Sequence, residues 1–436
     1  MNKDKKISTE PYKGVRDFFP EDQVIQNYIF SVWTDVVKKY GYVQYNSSIL
    51  EPKDLYTLKS GEEIVNEQTY NFTDRGGREV TLRPEMTPSV ARMVAQRKRE
   101  LSFPLRWYSI PNLFRYEQPQ RGRLREHFQL NVDIFGTDSL DAEVEMIQIS
   151  HDIMKTFGLK NTDFEIRINN RVIMNYIFTD LLSLSQEETH KLSKLIDKKA
   201  KIDEKKFEEL ASEILGGKLP LFMTIFNSKN FEEFCTNMKQ SKEEHKGLKD
   251  VHTVIKALER LGITNVIFDQ TLMRGFDYYT GVVFEVFDTN PDNRRSLFGG
   301  GRYDDLLSLF GDDKVQAVGF GSGDVTMRDV LETYNLLPIP KSDTKIVVAP
   351  TDQTSIPYSL DLAQKFRESN INTIVDFSQK KIGDKIKSAV KQNIKYIVCI
   401  GPDEVKSGHL ILKNLQESSE LSGNDDYLVD LLLKDK

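Results

Sequence analysis

Residues 112–136 read NLFRYEQPQRGRLREHFQLNVDIFG, two extended runs around a polar loop. Successive side chains of a strand point to opposite faces, so this pattern predicts a long hairpin with two unlike faces. On the second run Phe128, Leu130, Val132 and Ile134 share one face, and Gln129, Asn131 and Asp133 share the other. On the first run Phe114 and Tyr116 fall opposite Arg115 and Glu117. One sheet face is therefore apolar, and the other gathers Arg115, Glu117, Gln129 and Asp133. A solvated antiparallel face with ordinary cross-strand pairs has the same pattern. The loop adds Arg121, Arg123 and Arg125 around Gly122. Such a cationic loop suits phosphate oxygens, and a solvated charge run looks the same.

Three regions surround this hairpin. The first runs to about residue 168 and opens with KGVRDFFP and a helix. Pro20, Glu21 and Asp22 suit its first turn, Ile25, Ile29, Val32, Val36 and Tyr40 recur at helical spacing, and Gly41 can end it. From about 170 to 262 the chain becomes charge-rich, helical and poor in glycine, which reads as a helical insertion. Extended, glycine-marked segments resume over 265–323. LLPIPKSDTK (336–345) is a proline-containing linker. Beyond it, strands KIVVA, INTIVD, KYIVCI and HLILKN alternate with helical stretches, which predicts a small α/β domain with a mostly parallel sheet.

Composition excludes several classes. With 39% hydrophobic and 29% charged residues in 436, the chain builds ordinary cores and is too balanced for disorder. A net charge of −6 argues against a non-specific polyanion binder, though it leaves room for a local basic patch. Cys235 and Cys399 form no metal spacing and no disulfide framework, which points to a reducing cytoplasm. The first residues lack the apolar core of a signal peptide, and no run reaches the length of a membrane span.

Three further stretches carry chemistry-bearing residues. In TLRPEMTPSVARMV (81–94), Thr87 is a plausible N-cap and Pro88 fits the first helical position. Arg83 and Glu85 lie just before that cap, and Glu85 with Thr87 can bind an ammonium group. RGFDYYTGVVFEVF (274–287) sets a cation, a carboxylate and two phenols at the mouth of a strand. LFGGGRYDDL (297–306) and VGFGSGDVTMRD (318–329) read as glycine-rich loops, and neither is a P-loop.

Taken in order, KGVRDFFP, TLRPEMT, FRYEQPQRGRLREHFQ, RGFDYYTGVVFE and GGGRYDDL, followed by an α/β tail, closely resemble the histidyl-tRNA synthetase family of class II aminoacyl-tRNA synthetases. The resemblance covers nearly the whole chain. It implies an α+β fold: an antiparallel sheet flanked by helices (1–170 and 263–335), a helical insertion (171–262) and an anticodon-binding α/β domain (343–436). It also implies a cytoplasmic homodimer that uses Mg²⁺-ATP, L-histidine and histidine tRNA. Arg115 matches the α-phosphate clamp and Arg274 the family's second clamp, Glu117 and Arg123 match ATP contacts, and Glu85, Thr87 and Gln129 match positions that hold the α-amino group. Asp133, Tyr278, Tyr279 and Tyr303 match the histidine pocket, with Asp133 accepting from one imidazole nitrogen and Tyr279 bonding the other. Gln118, Gln120 and Arg121 fall in the loop that meets the tRNA acceptor end. Mg²⁺ would bridge phosphates with few protein ligands, and no metal ligands are assigned. In the tail, Lys380, Lys381, Lys385 and Lys387 suit RNA contacts, and a solvated helix face accounts for them equally.

Two departures stand out. The family's last motif normally ends Gly-x-Glu-Arg, and here Val325 and Thr326 occupy the last two places. Arg328 lies about 200° further round a helix, so it is no simple substitute. Either ATP is bound differently, or Arg123 and its neighbours carry more of the triphosphate, or adenylation is impaired. Gln118 stands where bacterial relatives commonly have arginine. The rival readings are a non-catalytic regulatory subunit of ATP phosphoribosyltransferase and a tRNA-sensing module.

Overall fold

The computed structural model describes residues 7–57, 68–199, 202–273, 278–293, 295–311, 314–339 and 342–435. The chain forms two compact units, Met1–Pro338 and Ile339–Lys436.

The first helix, Pro20–Lys39, follows directly from its sequence. Pro20 opens it, Glu21 and Asp22 sit in the first turn and Lys38 and Lys39 in the last, matching the helix dipole at both ends. It buries Ile29, Val32, Trp33, Val36 and Val37, and Gly41 (φ +80°) turns the chain away. Strands β1 (Val43–Gln44), β2 (Leu50–Pro52), β3 (Tyr70–Thr73) and β4 (Glu79–Leu82) follow, then β5 (Leu105–Ser109), β6 (Asn112–Phe114), β7 (Glu126–Phe135), β8 (Phe164–Asn170), β9 (Val266–Phe268), β10 (Val282–Asp288), β11 (Ser296–Arg302) and β12 (Ala317–Gly323). The main sheet has the order β1-β5-β7-β12-β11-β10-β8-β9, with β6 paired to β7. It is antiparallel except for the β1–β5 and β8–β9 pairs. Strands β2, β4 and β3 make a separate small sheet.

The hairpin faces fall as the alternation predicts. Leu130, Val132 and Ile134 join a core shared with Ile29, Trp33, Ile147 and Ile153, the last two from the helix Asp141–Thr156. Phe128 packs edge-on against Phe18 and Phe30. The first arm is shorter than expected, because pairing stops at Phe114 and the chain then leaves the ladder. Its loop is a tight two-residue turn: Gln120 and Arg123 bond each other's backbone across Arg121 and Gly122, whose φ is +72°.

Between β8 and β9 the described elements are helices, including Gln186–Asp197, Glu204–Leu215, Leu219–Phe226, Phe231–Asn237 and Lys246–Arg260. Ser185 and Glu188 form a reciprocal capping box, and Leu192, Ile196, Phe207, Phe222, Phe226 and Phe234 are buried.

Both glycine-rich stretches are central strands, β11 and β12, rather than loops. Glycine weakens an isolated strand, but here the crowding around Gly300, Gly301, Gly319 and Gly321 leaves no room for a side chain. Thr87 is likewise corrected by one residue. It is the first residue of the helix Thr87–Arg97, Met86 is the N-cap, and no side chain caps that end.

The second unit has strands β13 (Ile346–Pro350), β14 (Thr373–Val375), β15 (Tyr396–Ile400), β16 (Leu410–Asn414) and β17 (Ser419–Gly423) in the order β14-β13-β15-β16-β17. The first three run parallel, while β16 and β17 fold back antiparallel, so the sheet is mixed rather than mostly parallel. The short β17 and the final helix Asp425–Lys434 escape the alternation pattern. Lys385 is not on a solvated face. It is buried, with Nζ donating to the carbonyls of Pro350 (2.9 Å) and Asp376 (2.8 Å), so it pins the domain.

Candidate active site

The site follows from paired glycines. In the antiparallel register Gly299 stands opposite Gly321, which stands opposite Asn131, and Gly301 stands opposite Gly319, which stands opposite Asp133. Directly opposed residues share a face, so one face of β11 and β12 is bare backbone. The side chains of β7 lean over this trough. A methyl group on Gly321 would overlap the Gln129 amide, and one on Gly319 would overlap Asp133 Oδ1. Glycine is thus required by the polar groups of the neighbouring strand.

The trough opens into a cleft. Glu85, Thr87, Arg115, Gln129, Tyr278, Tyr279 and Tyr303 line it, together with Asn131. These side chains come from several elements, Gln129 and Asn131 from β7. Arg115 Nε donates to the Pro84 carbonyl at 2.8 Å, which fixes it beside Glu85. Tyr278 Oη donates to Glu85 Oε2 at 3.1 Å. Tyr278 also packs on Tyr279 (centroids 4.9 Å) and Tyr303 (5.8 Å), so the three phenols form one aromatic wall. Arg83 ties the entrance together, donating to the carbonyls of Asn112 (3.0 Å) and Ser47 (2.8 Å). Its part in the TLRPEMT stretch is therefore structural.

Asp133 does not line the cleft. It is buried behind Tyr303, whose hydroxyl donates to Asp133 Oδ1. Burial pushes its carboxyl up to about 7, against the pull of that hydrogen bond. Burial and the nearby carboxylate also raise the Tyr303 phenol well above its usual range.

The remaining predicted residues sit apart from the cleft lining. Glu117, two residues beyond Arg115, is buried and paired with Arg123 Nε at 2.6 Å. Arg121 Nη2 donates to Asn293 Oδ1 at 3.1 Å, while Gln118 and Gln120 are exposed. Arg274 lies outside the described residues. Arg328 is committed to Asp22 at 2.8 Å, in keeping with its place on the helix. Asp324, in the other half of the altered last motif, is fully buried and organises the region. Its Oδ1 accepts from the Phe128 amide (2.9 Å), and its Oδ2 accepts from Arg16 (2.7 Å) and Gln26 (3.1 Å). That ties KGVRDFFP, the first helix and β7 to the end of the trough. Among the described residues no cluster of three or more His, Cys, Asp or Glu could hold a metal ion.

Sequence reasoning missed Asn131, Gly299, Gly319 and Gly321 as parts of the site. Asn131 was legible, because it shares the Gln129–Asp133 face. The glycines needed the pairing register.

Among solved structures, one described as histidyl-tRNA synthetase from Nostoc sp. PCC 7120 superposes with a TM-score of 0.80 at 23% identity, covering 98% of this chain and all of that one. Apo histidyl-tRNA synthetase of S. aureus gives 0.74 at 23%. The fold is that of a class II aminoacyl-tRNA synthetase core with an appended α/β domain. The family model described as histidyl-tRNA synthetase matches residues 14–325, and one described as anticodon binding domain matches 345–435. Proteins named histidine–tRNA ligase are 42% identical in Leptospira biflexa and 33% identical in Thermoplasma volcanium, each over at least 95% of both chains. The chain belongs to the histidyl-tRNA synthetase family.

Proposed function

We propose that this chain is a histidine–tRNA ligase that activates L-histidine with Mg²⁺-ATP and transfers it to the 3′ end of histidine tRNA. The observation that carries this reading is the convergence of Arg115, Glu85, Gln129 and three tyrosines on one bare-backbone trough. The substrate carboxylate attacks the α-phosphorus, pyrophosphate leaves, and a terminal ribose hydroxyl then takes the histidyl group from the adenylate. Arg115 holds the carboxylate and α-phosphate in line and stabilises the charge that develops there, with Arg274 as the second clamp. Glu85, Thr87 and Gln129 receive the α-amino group. Tyr278 positions Glu85, the Asp133–Tyr303 pair and Tyr279 meet the imidazole, and amino acids lacking two ring nitrogens leave those groups unpaired. Glu117 and Arg123 contact ATP, and magnesium arrives on its phosphates.

In this reading 1–170 and 263–335 form the catalytic domain and 171–262 an insertion. Residues 343–436 bind the anticodon, and Gln118, Gln120 and Arg121 meet the acceptor end. The working form is a cytoplasmic homodimer. No helix among the described residues is long and apolar enough to cross a membrane. The test is histidine-dependent exchange of pyrophosphate into ATP, with the other amino acids as controls. Exchange with histidine alone is expected. Its absence, with tRNA also present, would move the chain to a regulatory or tRNA-sensing role. Arg115→Lys should lower exchange by at least about tenfold, since a bidentate fork becomes a point charge.

A further inference from the structure

Arg295 stands immediately before β11, at the end of the trough, and nothing in the sequence reading singles it out. Its stem crosses the space that a side chain on Gly122 would occupy: a methyl there would be 2.6 Å from Arg295 Cδ and 3.3 Å from Thr326 Cγ2. Arg295, the turn glycine and Thr326 therefore meet at one point. Thr326 turns back on its own helix, donating to the Gly323 carbonyl at 3.1 Å, and offers no cation there. Among the described residues the other arginines of this corner are engaged: Arg123 with Glu117, Arg16 with Asp324, Arg328 with Asp22 and Arg121 with Asn293. Arg295 differs from them. Its Nε donates to the Arg121 carbonyl at 3.1 Å, and its terminal nitrogens make no bond among the described residues.

The electrostatics are lopsided as well. Burial and the like charge of Arg123 lower the Arg295 pKa, and Glu117, the one nearby carboxylate acting on it, already carries the Arg123 ion pair. Two guanidinium groups sharing one carboxylate leave an excess positive charge that an anion would neutralise. This corner adjoins the cleft through two short stretches of chain. Arg115 lines the cleft and Glu117 follows two residues later, while Gly321 lines it and Thr326 lies just past the end of the same strand.

We propose that Arg295 is a nucleotide-contacting residue that holds the outer phosphates of ATP, doing from the residue before β11 what position 326 does not do from the helix after β12. This rests on the ligase reading for the identity of the anion. The experiment is equilibrium titration of the full chain with Mg²⁺-ATP and, separately, with AMP, in wild type, Arg295→Ala and Arg295→Gln. Loss of one charge-assisted contact predicts at least about tenfold weaker ATP binding, with AMP binding within twofold of wild type. Arg295→Gln keeps a long polar stem for the turn, and it should lose ATP selectively too. Adding Thr326→Arg to Arg295→Ala should recover part of the ATP affinity, because both side chains reach the same point. ATP binding unchanged in both single variants, or an equal loss of ATP and AMP in both, overturns the proposal. Histidine-dependent exchange by the wild-type chain tests the ligase reading separately. If that fails, the ATP-against-AMP comparison still decides the anion site, since it reads binding and not turnover.

Discussion

Asp133 should make the first unit less stable as pH rises, and Asp133→Asn should remove that dependence. The carboxyl is buried under Tyr303, and burial lifts its pKa to about 7. In the unfolded chain it returns to roughly 3.9. A pKa raised in the folded state means the native form holds its proton where the unfolded form has lost it. Stability from this group is therefore fully present below about pH 3.9 and is lost progressively as pH climbs toward 7. Linkage with these two values gives a loss of about 1.5 kcal/mol at pH 5 and about 4 kcal/mol at pH 8, a difference of roughly 2.5–3 kcal/mol across that window. Asparagine accepts the same Tyr303 hydrogen bond without ionising. The chain's two tryptophans, Trp33 and Trp107, both lie in the first unit, so their fluorescence reports its unfolding alone. Urea unfolding of both proteins from pH 5 to 8.5 should show the variant gaining on wild type steadily to about pH 7.5 and then running parallel. Curves parallel throughout would show that Asp133 does not titrate in this window, and the burial argument would be wrong. Histidine-dependent exchange should fall in the same variant, making this an exchange of stability for function.

Two further perturbations test the frame around the site. Arg302 forms a buried bidentate pair with Glu143 (2.6 and 2.7 Å) and also donates to the carbonyls of Thr137 and Ser139, so Arg302→Ala should destabilise the first unit by about 3–5 kcal/mol in the same urea assay. Adding Glu143→Gln should recover part of that loss, since the penalty comes from an unpaired buried charge. Gly319→Ala puts a methyl onto Asp133 Oδ1 and 2.8 Å from the Val132 carbonyl, which should cost about 1–3 kcal/mol and weaken histidine binding in a calorimetric titration. Gly217→Ala, with open space around it, should be neutral or slightly stabilising in the same assay.

The parts of the molecule legible in the sequence are those set by local periodicity and by side-chain inventory. The first helix carries its start, its buried stripe and its stop in consecutive residues, and β7 carries both its core face and its polar face. The parts that were not legible depend on partners distant in sequence. Gly319 and Gly321 look like loop residues because glycine is a poor strand former, and only their place beside Asp133 and Gln129 of the neighbouring strand shows why no other residue fits. Lys385 looks like one of four exposed cations on a helix, and only the carbonyls of Pro350 and Asp376 show that it is buried. Arg302 reads as part of a polar tail to a glycine run, yet its partner Glu143 is 159 residues away.

The same reasoning explains how the last motif could lose its arginine without collapse of the fold. Asp324 and Thr326 are two residues apart and do separate work. Asp324 is bound to three groups from the N-terminal segment, the first helix and β7, so its replacement would loosen the whole end of the trough. Among the described residues the Thr326 side chain bonds only the Gly323 carbonyl at the start of its own helix. Position 326 is therefore structurally undemanding, and a cation can be moved from it to the residue before a neighbouring strand with no rearrangement of the frame. Gly122 is the one point where that transfer imposes a constraint. It must stay free of a side chain for Arg295 to pass, and its left-handed φ of +72° already disfavours one.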